Sequence, residues 1–66
     1  MQVEIAPPSI PVGQFKTFGR YGPAYEIIKP LRQLEDGDWM VDIVMVETGE
    51  HAEYRLTSIN DDPDAH

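Results

Sequence analysis

The chain has no cysteine among its 66 residues. That excludes a disulfide framework and any zinc site built on thiolates. Histidine is almost as scarce, with only His51 and His66 present, which argues against a histidine-based metal centre. No apolar run approaches the roughly 20 residues needed to cross a bilayer. The N-terminus also lacks a basic region followed by an apolar stretch. These absences lead to the expectation of a cytoplasmic protein with no membrane segment and no cofactor. Cations are few as well, five Lys and Arg against twelve Asp and Glu, for a net charge of −7. Sequence-independent binding to nucleic acid needs cations to neutralise phosphates, so this balance argues against it.

What is present amounts to one small domain, residues 1–66. A chain of this length buries a modest share of its surface and depends on tight packing, an oligomer or a partner. Its hydrophobic fraction of 41% still separates it from disordered acidic proteins. The charge is distributed unevenly. Residues 1–33 hold two acids and four cations, a net +2, whereas residues 34–66 hold ten acids and Arg55 alone, a net −9. A well-solvated surface accounts for the excess by itself, while a docking surface for a basic partner would account for its one-sidedness.

The alternation in "MQVEIA" (1–6), with Met1, Val3 and Ile5 on one side, reads as a candidate N-terminal strand. Three prolines within residues 7–11 then break it, so residues 1–14 are expected to be an edge strand or an irregular arm. "FKTFGRYGPAY" (15–25) is dense in aromatics, and Gly22-Pro23 marks a turn. From Ala24 to Leu34 a strand and a short helix compete. The strand is preferred, because Pro30 would cut a helix after about two turns but is tolerated at a strand edge or bulge. "EDGD" (35–38) supplies a glycine for a short hairpin loop. The expected fold is mainly β: an antiparallel meander of three strands at about 24–34, 38–47 and 50–59, with the N-terminal strand as a possible fourth. Residues 60–66, rich in acids and with no apolar anchor, read as a flexible tail, although Asn60 to Asp62 also suit the cap of a short final turn.

A two-residue loop at Thr48-Gly49 sets the expected register of the last hairpin. It opposes Glu47 to Glu50, Met45 to Ala52, Ile43 to Tyr54, Val41 to Leu56 and Trp39 to Ser58. Asp42 then meets Arg55 and Met40 meets Thr57 on the other face. This keeps the large apolar pairs together.

Catalytic chemistry finds little support. His51 lies beside Glu50 and Glu53, but at the mouth of a hairpin and with no serine or cysteine paired to it by any motif. Asp36, Asp38 and Asp42 fail as an EF-hand, because Met40 and Val41 occupy the positions that need an oxygen ligand and a glycine. Asp61, Asp62, Asp64 and His66 offer at most a loose attraction for a divalent ion. The residues therefore point to a non-enzymatic, acidic protein-binding module that docks a basic partner, in the manner of an inhibitor or antitoxin. Its expected contact is a ridge of Asp36, Asp38, Glu47, Glu50 and Glu53. A second reading is a homodimer joined through exposed strand edges. A third is single-stranded nucleic-acid binding through Phe15, Phe18, Arg20 and Tyr21, for which sheet-covering aromatics are the plainer explanation.

Two resemblances accompany this reading. Glu47-Thr48-Gly49-Glu50 is identical to a tetrapeptide that a Kelch-repeat adaptor of animal stress signalling reads in a tight turn. Met45 stands where that motif carries an acid, and Thr-Gly between strand residues is ordinary hairpin chemistry, which is the interpretation adopted. The longer run "FGRYGPAYEIIKPLRQLEDGDWMVDIVMVETGEHAEYRLTSINDDPDA" (18–65) resembles a family of small proteobacterial proteins of unknown function. It shares that family's Gly-Pro-x-Tyr-Glu, Gly-Asp-Trp and Glu-Thr-Gly-Glu elements and an Asp-Pro near the end. The resemblance implies a bacterial cytosolic protein and carries no assigned activity.

Overall fold

Tyr25 and Ile27 in one segment, and Val41 and Ile43 in another, place apolar side chains at every second position, the spacing that loads one face of a sheet. The computed structural model, which describes residues 9–65, shows that outcome. Strands β1 (Phe15–Thr17), β2 (Ala24–Gln33), β3 (Trp39–Met45) and β4 (His51–Arg55) form one antiparallel sheet in chain order. A single helix, α1 (Leu56–Asp61), follows. Tyr25, Ile27, Val41, Ile43, Leu56 and Ile59 form the buried core, with Ile10, Phe18, Trp39, Met45 and Tyr54 packed around it. The protein is thus mainly β, as expected. The fourth strand lies at 15–17, and the strand expected over residues 1–6 falls outside the described residues.

β2 accommodates Pro30 by bulging. Its pairing with β3 skips between Ile27 and Lys29 and again between Pro30 and Arg32. Such irregularities are where a strand tolerates the missing N–H of proline.

The β3–β4 register departs from expectation by two residues. Val41 pairs with Tyr54, Ile43 with Ala52, Asp42 with Glu53 and Met40 with Arg55. A two-residue type I′ loop would need positive φ at both Thr48 and Gly49. Among the described residues positive φ occurs only at glycines, and β-branched Thr48 avoids it. The hairpin instead uses a four-residue loop, Val46 to Gly49, with Gly49 at φ 74° in the last position. The Gly49 N–H donates to the Met45 carbonyl at 2.8 Å, and the Met45 N–H donates to the Glu50 carbonyl at 2.8 Å. Glu47 and Glu50 are therefore not opposed. An even slip preserves side-chain parity, so the assignment of residues to faces survives the change.

The larger correction concerns residues 56–59, expected to continue the last strand, which with Asn60 and Asp61 form α1 instead. Leu56 and Ile59, three apart, turn to the same side of a helix, and both are buried. The helix stops at Asp62, whose extended φ and ψ of −80° and 144° are those favoured before Pro63.

The segment after it, expected to be a flexible tail, is tied across β1. The Thr17 N–H donates to the Pro63 carbonyl at 3.1 Å, and the Ala65 N–H donates to the Phe15 carbonyl at 2.9 Å. The Tyr25 hydroxyl donates to Asp62 Oδ2 at 2.7 Å. Burial first, and then the Asp62 carboxylate, pushes that phenol far above the usual tyrosine range. Lys16 is buried and donates to the Asp62 carbonyl at 3.0 Å, with Asp64 Oδ1 3.5 Å away. One outer edge of the sheet is covered in this way, while β4 forms the other.

Candidate protein-binding site

The five acids expected to form one ridge are divided by the length of β3. Asp36 and Asp38 sit in the β2–β3 turn, and Glu47 and Glu50 at the β3–β4 turn. Seven strand residues separate the two ends by roughly 20 Å. Glu53 lies between them on β4.

Asp36 and Asp38 are engaged within the chain. Arg55 Nη1 donates to Asp36 Oδ2 at 2.7 Å and lies 3.4 Å from Asp38 Oδ2. The Thr57 hydroxyl donates to Asp38 Oδ2 at 2.8 Å, and the Trp39 N–H to Asp38 Oδ1 at 2.8 Å. The Thr57 N–H, one of the unpaired donors of the first helical turn, also points to Asp38 Oδ1 at 3.3 Å. No side chain caps α1 from its own N-terminus. Asp38 serves that end from a turn 19 residues earlier. Together these residues border an open groove of about 520 Å³ that also reaches Asn60.

The Arg55 hydrogen bond holds the Asp36 carboxyl below the usual carboxylate range, and the Thr57 hydroxyl does so first for Asp38. A carboxyl whose folded pKa is depressed stabilises the fold fully above its unfolded value near 4. That contribution disappears as pH falls through the lower folded value. Asp38→Asn is expected to melt several degrees lower at pH 7, and to lose less further stability than wild type on acidification to pH 2.5. Circular dichroism melts across that range measure both, and parallel acid profiles for the two proteins would contradict this role of Asp38.

The outer face of the sheet, opposite α1, is ordered in rows by the register. Phe15, Glu26, Val44 and His51 form one row, Lys29, Asp42 and Glu53 the next, and Arg32, Met40 and Arg55 a third. Diagonal contacts link the rows. Arg32 Nη2 donates to Glu53 Oε1 at 2.8 Å, and His51 Nδ1 lies 3.0 Å from Asp42 Oδ1. His51 lies beside Glu50 and Glu53 in sequence, but its ring nitrogen meets Asp42 on β3. Its side chain is 64% exposed, and among the described residues no hydroxyl nucleophile bonds to it. Among the same residues no group of three or more acids and histidines is arranged to hold a metal ion.

Glu47 and Glu50 differ from the other three acids. Both are exposed, and among the described residues neither forms an ion pair, whereas Asp36, Asp38 and Glu53 each hold an arginine. Val46, 51% exposed, stands beside them in the loop. Their backbone is braced, since the Glu50 N–H donates to the Thr48 hydroxyl at 3.2 Å.

The aromatic segment does not present one platform. Phe18 is spent on the core: its ring stacks 4.6 Å from Tyr25 and meets Tyr54 edge-on at 5.0 Å. Phe15 lies on the outer face, while Arg20 and the 91% exposed Tyr21 stand in the loop before β2. Two residues important to this geometry were not legible as such beforehand. Asp38 was read as part of the docking ridge, and Asp62 as tail or the cap of a short final turn. The spacing of Leu56 and Ile59 followed by Asp-Pro was the one signal that marked the helix they secure.

Comparison with known proteins places the chain in context. The model of DUF5397, a family of unknown function, matches residues 3–66. An uncharacterized protein of Haemophilus influenzae is 39% identical over 56 residues, covering 85% of this chain and 89% of its own length. The resemblance to a small bacterial family of unknown function is thereby borne out: the chain belongs to the DUF5397 family.

Proposed function

We propose that this protein is a non-enzymatic binding module that docks a basic protein partner through the tip of the β3–β4 hairpin. The supporting observation is the contrast among the acids. The carboxylates of Asp36, Asp38 and Glu53 are neutralised by arginines of the chain, whereas those of Glu47 and Glu50 have no such partner among the described residues. A hydrogen-bonded four-residue loop carries Glu47 and is followed directly by Glu50, and Val46 adds an apolar contact. Carboxylates of this kind speed encounter with a basic surface and select against acidic ones. An inhibitor that masks the phosphate-binding surface of a nucleic-acid-binding protein is the form this chemistry fits.

The test is capture from a bacterial lysate with tagged wild-type protein and Glu47→Lys/Glu50→Lys. The captured partner is expected to be basic, to elute as salt rises, and to be reduced at least tenfold by the double reversal. Asp36→Asn/Glu53→Gln is expected to retain it. Equal capture by wild type and the double reversal would remove the hairpin tip as the contact.

A further inference from the structure

The outer face of the sheet differs in charge from the rest of the molecule. Its three rows carry Glu26, Asp42 and Glu53 against Lys29, Arg32 and Arg55, a net charge of zero with His51 neutral. The chain has twelve acids and five cations, so the other nine acids and two cations account for the entire −7. The apolar residues of this neutral face form an interrupted band: Glu26 stands between Phe15 and the half-buried Val44, Asp42 between Val44 and the half-buried Met40, and Val46 lies beyond the end of β3. Phe15 is 46% exposed, and no strand or helix of residues 9–65 covers the band. The described chain begins on the opposite side, where Ile10 packs against the buried core.

We infer that the outer face is the contact surface for a second copy of this chain, giving a symmetric dimer of two sheets packed face to face. Two copies of so acidic a protein repel each other in most orientations. The outer face is the approach at which that repulsion is least and apolar surface is gained. Packed sheets keep their strand directions within about 30° of one another. A two-fold axis between β2 and β3, parallel to them, lays β2 of each copy over β3 of the other and β1 over β4. Lys29 of one copy then meets Asp42 of the other, Glu26 meets Val44, Arg32 meets Met40 and Phe15 meets His51. Association is expected to be weak, because a face of three to four strands offers a footprint on the order of 300 Å² per copy. That lies below the usual range for stable interfaces.

Sedimentation equilibrium of the full chain from about 10 µM to about 1 mM tests this, with the mass expected to rise from one chain toward two. Phe15→Lys and Val44→Lys are expected to stay monomeric throughout, with wild-type circular dichroism at low concentration. Phe15→Lys, being at the margin of the sheet, keeps the test valid if Val44→Lys fails to fold. A monomer at 1 mM would overturn the inference, and so would a dimer unaffected by a folded Phe15→Lys. Concentration-dependent protection of the Glu53 amide at the β4 edge would overturn it in favour of edge pairing. None of these measurements requires the basic partner, so the dimer and the hairpin-tip contact stand or fall separately.

Discussion

Ile59→Ala is expected to destabilise the protein by about 3 kcal/mol, the middle of the range for removing a buried isoleucine. A domain of this length has roughly 3 to 10 kcal/mol in total, so the loss is a large part of it. The melting temperature should fall by about 15 °C. The size of the effect follows from how little else holds α1. Six residues are too few to form a helix alone, and only Leu56 and Ile59 anchor them in the core. Releasing the helix also withdraws Asp62 from the Tyr25 hydroxyl and Lys16, and frees the segment that covers β1. Amide exchange at Thr17 and Ala65 should therefore quicken together with the drop in melting temperature. Asn60→Ala, on the exposed side of the same helix, should change stability by no more than about 0.5 kcal/mol. If the two alanine variants melt alike, α1 is not a structural support of the sheet.

The second large effect is expected at Gly22, and for a reason unlike that at the other glycines. Gly13, Gly19, Gly37 and Gly49 adopt positive φ with open space where a Cβ would project. Alanine there meets backbone strain alone, about 1 to 2 kcal/mol. Gly22 is not at positive φ, yet a Cβ on it would overlap the Phe18 carbonyl oxygen and lie 2.7 Å from Phe18 Cβ. Backbone cannot yield as a side-chain end does. Phe18 is also held by its N–H donating to the Pro23 carbonyl at 3.1 Å, and by its contacts with Tyr25 and Tyr54. Gly22→Ala should cost about 3 kcal/mol, the upper part of the range for overpacking. It should disturb the near-ultraviolet signal of the tyrosines more than Gly49→Ala does. Chemical denaturation of the two variants decides the matter; a smaller loss at Gly22 than at Gly49 would show that the loop relaxes.

The legible part of the fold was the part governed by period. Alternation placed β2 and β3 within a residue or two of their ends and assigned Val41 and Ile43 to the core. What escaped was set by conformation at single residues or by distant contacts. The loop of the last hairpin depends on which residue can take positive φ, and Thr48 cannot share that role with Gly49. The helix over Leu56–Asp61 was obscured because Ala52, Tyr54 and Leu56 continue the two-residue alternation past the end of β4. Its cap comes from Asp38, which no local pattern connects to Thr57. For the candidate site, the acids were legible as acids, but their availability was not. Whether a carboxylate is free depends on where Arg32 and Arg55 reach, and that is decided by the register.

The remote cap has a further meaning for the order of events in folding. α1 lacks the length to nucleate, and the groups that would favour it belong to a β-turn and a sheet face that must first exist. The helix is therefore expected to be recruited late, after the rate-limiting barrier. Weakening it should leave the folding rate almost unchanged and accelerate unfolding. The lifetime of the native state, and with it resistance to proteases that attack the C-terminal segment, is thus expected to depend on the element that contributes least to reaching the fold.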